Sequence, residues 1–181
     1  MENEKWANPS IIGLMGFALT TMVTGLHHVG LFNAAPTLAL ALAFGGTAQF
    51  IAGVIDLKKG SLFGGSAFVS YGAFWWSVFI LTFLLPKYGI TITHREEFAF
   101  FSIWALFTLS FCLAVHCAGK YLSVLFWLLF IAFVLLAIMS INMIPKVLVG
   151  LEIFITGLFA WYIATAELVN EMSKKEVLPL K

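Results

Sequence analysis

Charge is what this chain has least of. Only 10% of its 181 residues are Asp, Glu, Lys or Arg, against ~25% in a soluble domain. None occurs in residues 6–55, 60–86, 98–119 or 121–145, and residues 147–166 hold only Glu152. The net charge of +1 gives no basic footprint for nucleic acid. Cysteine is scarce too. Cys112 and Cys117 share one apolar run, where they read as small packing residues, not as a disulfide or metal pair. No zinc spacing, nucleophile elbow or glycine-rich phosphate loop occurs, so no cofactor or metal is expected. An intramembrane enzyme would need a catalytic pair such as Ser/His or Asp/Asp on facing helices, yet His27, His28 and His116 sit near run ends. The opening Met1-Glu2-Asn3-Glu4-Lys5 does not resemble a signal-peptide n-region, so the first helix is expected to be retained. Internal repeats and low-complexity tracts are absent.

What is present is apolar length. The chain is 61% hydrophobic with mean hydropathy +1.00. A spanning helix needs ~20 apolar residues. The first run holds two, with His27-His28 through Pro36 as the turn between them. The expected fold is all-α: six transmembrane helices near 9–29, 36–56, 62–85, 97–117, 121–143 and 147–168. They form one domain over residues 1–181, with 1–8 a cytoplasmic segment and 169–181 a cytoplasmic tail. Residues 86–97 read as the longest loop, and Asp56-Leu57-Lys58-Lys59-Gly60 as a connection. Lys5, Lys58, Lys59, Lys120, Lys174, Lys175 and Lys181 fall on one side, and Lys87, Arg95 and Lys146 on the other. The positive-inside rule then puts both termini in the cytoplasm of a multi-pass protein in the plasma membrane. Trp6 and Tyr88 suit interfaces, whereas Trp75, Trp76, Trp127 and Trp161 read as packing or pore residues. Gly46 and Gly53, Gly150 and Gly157, and the Gly60–Gly64 pair suit close helix contact.

Polar groups at membrane depth are the functional candidates. Gly13, Phe17, Thr20, Thr21, Thr24 and His28 recur at spacings of three and four along the first helix, which opens with Asn8-Pro9 as cap and first turn. Such a stripe either bonds a neighbouring helix or lines a wet path. Gln49 carries a primary amide into the second helix, and Tyr71 a hydroxyl into the third; each needs a partner there. Glu152 and Glu167 are the candidate proton-linked groups, since an ionisable residue in a span is a functional hypothesis. Glu167 lies near enough to the interface for plain solvation to explain it.

These segments resemble the acetate uptake transporters, also called succinate–acetate permeases. The resemblance rests on Asn8-Pro9-Ser10-Ile11-Ile12-Gly13-Leu14, Met15-Gly16-Phe17, Gly45-Gly46-Thr47-Ala48-Gln49 and Lys58-Lys59-Gly60. It continues through Ser70-Tyr71-Gly72-Ala73-Phe74-Trp75 and Ala160-Trp161-Tyr162-Ile163-Ala164 into Glu167-Leu168-Val169-Asn170-Glu171. It spans essentially the whole chain. Ile11 stands where the family has a second proline, and Ala73 where a Ser or Thr is usual. The resemblance implies a homo-hexamer of six-helix protomers in the bilayer, one path in each, moving acetate and related small carboxylates, succinate in some members. Its constriction maps onto Phe17, Tyr71 and Leu129, and Ala160 matches a position that influences substrate size. Asn8 and its motif, with Pro9, Gly13 and Leu14, match the substrate's access region. With Thr20, Thr24, Gln49, Tyr71 and Ala160 these are the candidate substrate-binding residues.

The leading expectation is therefore transport of acetate, by proton coupling or as an anion channel. A neutral-solute channel for protonated acid or ammonia is the alternative within transport. A carboxylate-sensing membrane protein is the alternative outside it, and the short stretch after Glu171 offers no cytoplasmic domain for that role.

Overall fold

A peptide group in hydrocarbon has no water to bond, so each apolar run must satisfy its own backbone as a helix. The computed structural model describes residues 6–180, and among these it contains six long helices and no strand. They are α1 (Ser10–Val29), α2 (Ala35–Lys58), α3 (Leu62–Tyr88), α4 (His94–Cys117), α5 (Lys120–Ser140) and α6 (Lys146–Ser173). All six are long and apolar enough to cross a membrane. Connections are short, so successive helices run antiparallel and both described ends of the chain share one end of the bundle, here the terminal end. Lys58, Lys59, Lys120, Lys174 and Lys175 lie at that end, and Lys87, Arg95 and Lys146 at the far end. Lys5 and Lys181, and residues 1–5 of the expected cytoplasmic segment, lie outside the described residues.

Helix ends depart from expectation where local chemistry decides them. α3 runs on through a π-helical turn at Ile80–Leu84 and a 3-10 turn at Leu85–Tyr88. Pro86 sits in the first turn of that last segment, where its missing N–H costs nothing. α4 starts early, at His94, because Thr93 and Glu96 close a capping box: Thr93 N donates to Glu96 Oε2 at 2.6 Å, and Glu96 N to Thr93 Oγ1 at 3.3 Å. The expected long loop shrinks accordingly. α2 continues through Lys58, so Asp56 is buried inside a helix instead of lying in a connection. α6 runs well past residue 168 to Ser173, stopped by Lys174 in a left-handed conformation.

Small residues set the two closest helix pairings. α1 and α6 share the largest contact in the bundle. A Cβ on Gly25 would meet the Gly150 carbonyl at 2.6 Å, and one on Gly150 would meet the Gly25 carbonyl at 2.7 Å. Gly157 lies equally tight on Met22 N at 2.7 Å. α2 and α3 pair the same way, with Gly53 against Val69 N and Gly72 against Phe50. The expected Gly60–Gly64 motif is not the contact: Gly60 turns the chain at φ +87°, and Gly65 is the residue pressed on Leu57. Trp127 and Trp161 do not pack inside or line a pore, being 39% and 40% exposed on the outer surface.

Candidate functional site

The outer two turns of α1 open onto a cavity of about 500 Å³ at the far end of the bundle. Its upper wall carries His27, His28, His94, Glu97, Asn142 and Lys146. His28 Nδ1 donates to the Thr24 carbonyl at 2.9 Å, and His27 packs edge-on against it at 5.4 Å between ring centroids. α2, α4 and α6 all begin at this end, so the positive ends of three helix dipoles point toward the mouth. The lower wall turns apolar through Phe74, Phe133 and Ile153 and ends on Phe17 and Leu129, both buried.

Tyr71 lies below that floor. Its ring is 2% exposed and is surrounded by Phe17, Trp104, Phe107, Phe111, Phe126 and Phe133 at centroid distances of 5.8–6.3 Å. Its hydroxyl lies 2.9 Å from Thr108 Oγ1. Thr108 in turn donates to the Trp104 carbonyl at 2.8 Å, so the Tyr71 hydroxyl is the donor of the pair. Beyond this aromatic plug, toward the terminal end, Phe63 and Phe111 border a second, more open hollow of about 400 Å³ between α3 and α4. The two hollows thus meet opposite sides of the Tyr71 cluster, and the cluster closes the way between them.

The stripe along α1 divides at this level. Thr21, Thr24, His27 and His28 line the far cavity. Thr20 instead donates to the Gly16 carbonyl at 2.7 Å and packs on Gly45 of α2, fully buried. Gly13 is covered by the Phe68 ring. Leu14 is buried in the core. Gln49 sits against Gly16 between α1 and α2, its Oε1 buried with no partner among the described residues. Ala160 is wholly buried on the face of α6 that carries Gly157 and Ala164, away from the cavity lining. Of the candidate residues, Phe17, Thr24 and Leu129 are brought to the cavity; Thr20, Gln49, Tyr71 and Ala160 lie behind its walls.

At the terminal end Asn8 acts as expected of a cap. Its Oδ1 accepts the Ser10 N–H at 3.0 Å while Pro9 already has helical angles. Around it gather groups the sequence did not bring together. Ser10 Oγ donates to Asp56 Oδ2 at 2.9 Å, and the Asn8 side chain bonds the Glu167 carboxylate. Lys59 Nζ ties the segment down by donating to the Ala7 carbonyl at 2.8 Å. Glu152 is remote from this cluster. Its Oε1 accepts from Thr156 Oγ1 at 2.8 Å, and its Oε2 is buried without a partner among the described residues.

α2 changes pitch at mid-depth. Ala43–Ala48 form a π-helical turn, and Thr47 Oγ1 satisfies it by donating to the Leu42 carbonyl at 2.8 Å. Single π turns recur at functional positions in helices. The Gly45-Gly46 step inside this one lets Thr20 and the indoles of Trp75 and Trp76 approach the α2 backbone. Thr37 and Trp75, which line the cavity, were missed as site residues. Thr37 follows the helix-opening Pro36, and Trp75 ends a motif noted for its aromatics, so neither carried a separate signal of function.

Comparison with known proteins agrees with this architecture. The chain is 37% identical to the succinate-acetate/proton symporter SatP of Escherichia coli, over 99% of this chain and 98% of that protein. It is 30% identical to acetate permease A of Emericella nidulans, over 99% of this chain and 67% of the relative. The solved structure of the bacterial acetate channel SatP superposes with a TM-score of 0.93 at 36% identity, covering 98% of this chain and all of that one. Residues 1–179 match the GPR1/FUN34/yaaH family, and the chain belongs to that family.

Proposed function

We infer that this protein carries acetate and related small carboxylates across a membrane, and that it is not an enzyme. The observation that supports this most is the pair of hollows meeting at one aromatic plug, in a chain whose full-length relatives are named for acetate transport. An anion loses hydration at an apolar neck, a cost that donors on either side offset. Phe17, Tyr71 and Leu129 form the neck in this reading, and Thr24 and Thr20 flank it above. Asn8, Pro9, Gly13, Leu14 and Gln49 belong to the approach from the terminal end, and Ala160 supports α1 from behind. No Lys or Arg occurs near the neck, which favours weak, repeated binding and throughput.

The apolar, wholly uncharged ring around Tyr71 also suits a protonated acid, so carboxylate with a proton and carboxylate alone are both accommodated. Glu152 and Glu167 are the proton-linked groups under the coupled mechanism. The lysine distribution supports a plasma-membrane orientation with the terminal end in the cytoplasm and the far cavity outside. The family resemblance supports six such protomers in a ring, each with its own path. The whole chain then acts as one six-helix domain.

Labelled acetate uptake into proteoliposomes, with and without an imposed pH gradient, tests the function. Uptake in either condition supports it, and gradient-insensitive uptake selects the channel form. No acetate flux in either condition removes it.

A further inference from the structure

Most hydroxyls on the far cavity are already engaged within the protein: Thr24 bonds the Thr20 carbonyl and Ser140 the Ala137 carbonyl, each at 2.7 Å. Three polar groups on the same wall are not. Thr21 Oγ1, Thr37 Oγ1 and Trp75 Nε1 are buried with no hydrogen-bond partner among the described residues. Each side chain is only about 4% exposed, and each lines the cavity. A buried polar group left unpaired costs about 1–3 kcal/mol. Three on one wall, from α1, α2 and α3, mark a place built to meet something.

The donor chemistry narrows what that is. An indole N–H donates and never accepts, whereas a threonine hydroxyl does either. Ammonium offers only N–H groups and finds no acceptor at Trp75. A carboxylate, which is acceptor-only when ionised, can take all three. Lys146 and the histidines at the mouth, together with the helix N-termini, favour the same sign of charge, with Glu97 the opposing group on that wall. Below the donors the cavity presents Phe17, Leu129 and Phe133, which suit a short alkyl group.

Depth orders the donors. Trp75 is level with Gly45, against which its Cδ1 packs. Thr37 stands eight residues nearer the far end of α2, ~12 Å along the helix. The cavity therefore offers a step near the mouth at Thr37 and a step just above the neck at Thr21 and Trp75. A small χ1 turn of either threonine presents its hydroxyl to the space.

We propose that the far cavity contains a carboxylate-binding site, formed by Thr21, Thr37 and Trp75, that loads the permeant acid before it passes Phe17 and Leu129. This rests on the transport reading and assigns its loading site. Its test is the half-saturation concentration for labelled acetate in proteoliposomes made from the full chain. Thr21→Val, Thr37→Val and Trp75→Phe each raise it about fivefold, the worth of one hydrogen bond, with little change in saturating rate. Thr21→Ser, which returns the hydroxyl, brings it back down. Methylammonium does not compete, while succinate does. Three separate substitutions keep the proposal exposed to failure even if one of them does not fold. Wild-type half-saturation in well-folded variants, or competition by methylammonium, overturns the site while leaving acetate transport standing. Absence of uptake by the wild-type protein overturns both.

Discussion

The rings of Phe17 and Tyr71 face each other at 6.2 Å between centroids, tilted by 58°, one at the floor of the far cavity and the other directly beneath it. With Leu129 beside Phe17 at the floor, this contact sets the width of the closed neck. Truncating Phe17 or Leu129 to alanine widens it. The ratio of lactate to acetate uptake then rises about tenfold, the scale on which an apolar pocket discriminates by a carbon or two. An unchanged ratio in both variants removes these residues from the neck.

Tyr71→Phe separates ring from hydroxyl. The ring stays in its aromatic surround, while the bond to Thr108 is lost. Thr108 keeps its own bond to the Trp104 carbonyl, so only one partner is stranded. The expected loss is about 1 kcal/mol of stability, seen as a lower thermal midpoint in detergent, with acid selectivity unaltered.

The α1–α6 interface tolerates no added volume. A methyl on Gly150 meets the Gly25 carbonyl and Val29 N at 2.7 and 2.8 Å, both backbone atoms that cannot rotate away. Gly150→Ala destabilises the protein by about 1–3 kcal/mol. Gly30→Ala serves as contrast, because nothing lies within 4 Å and only its φ of +92° is strained. Thermal unfolding monitored on gel filtration distinguishes the two.

Glu152→Gln retains the hydrogen bond from Thr156 and removes the carboxylate whose Oε2 is unpartnered. If Glu152 links a proton to the permeant acid, gradient-driven accumulation of acetate falls while exchange at equal pH persists. Equal losses in both assays assign Glu152 a structural part only.

Much of this architecture was legible because lipid simplifies the physics. Uncharged runs of sufficient length must be helices, so all six spans were expected near their observed positions. Where capping chemistry decides the ends, the reading slipped: the Thr93–Glu96 box is a sequence-level signature, and it alone accounts for the early start of α4. The site was half legible. The α1 stripe was visible, but not that it divides at Phe17, because Thr20 and Thr21 are adjacent and only the packing on Gly45 decides which turns inward. Trp75 was read as packing, since an unpaired indole N–H is visible only once its neighbours are placed. Asp56 was read as a loop residue because Lys58-Lys59-Gly60 drew the helix end too early.

The central claim is that the far cavity is the route the acid takes. Thr24 lines it from α1 and is only partly buried, so Thr24→Trp fills the space above the neck without displacing the core. Acetate uptake by this variant in proteoliposomes, with wild-type behaviour on gel filtration, falls at least about tenfold if the cavity is the conduit, since flux through a narrow path depends on its open width. Undiminished uptake would contradict the account.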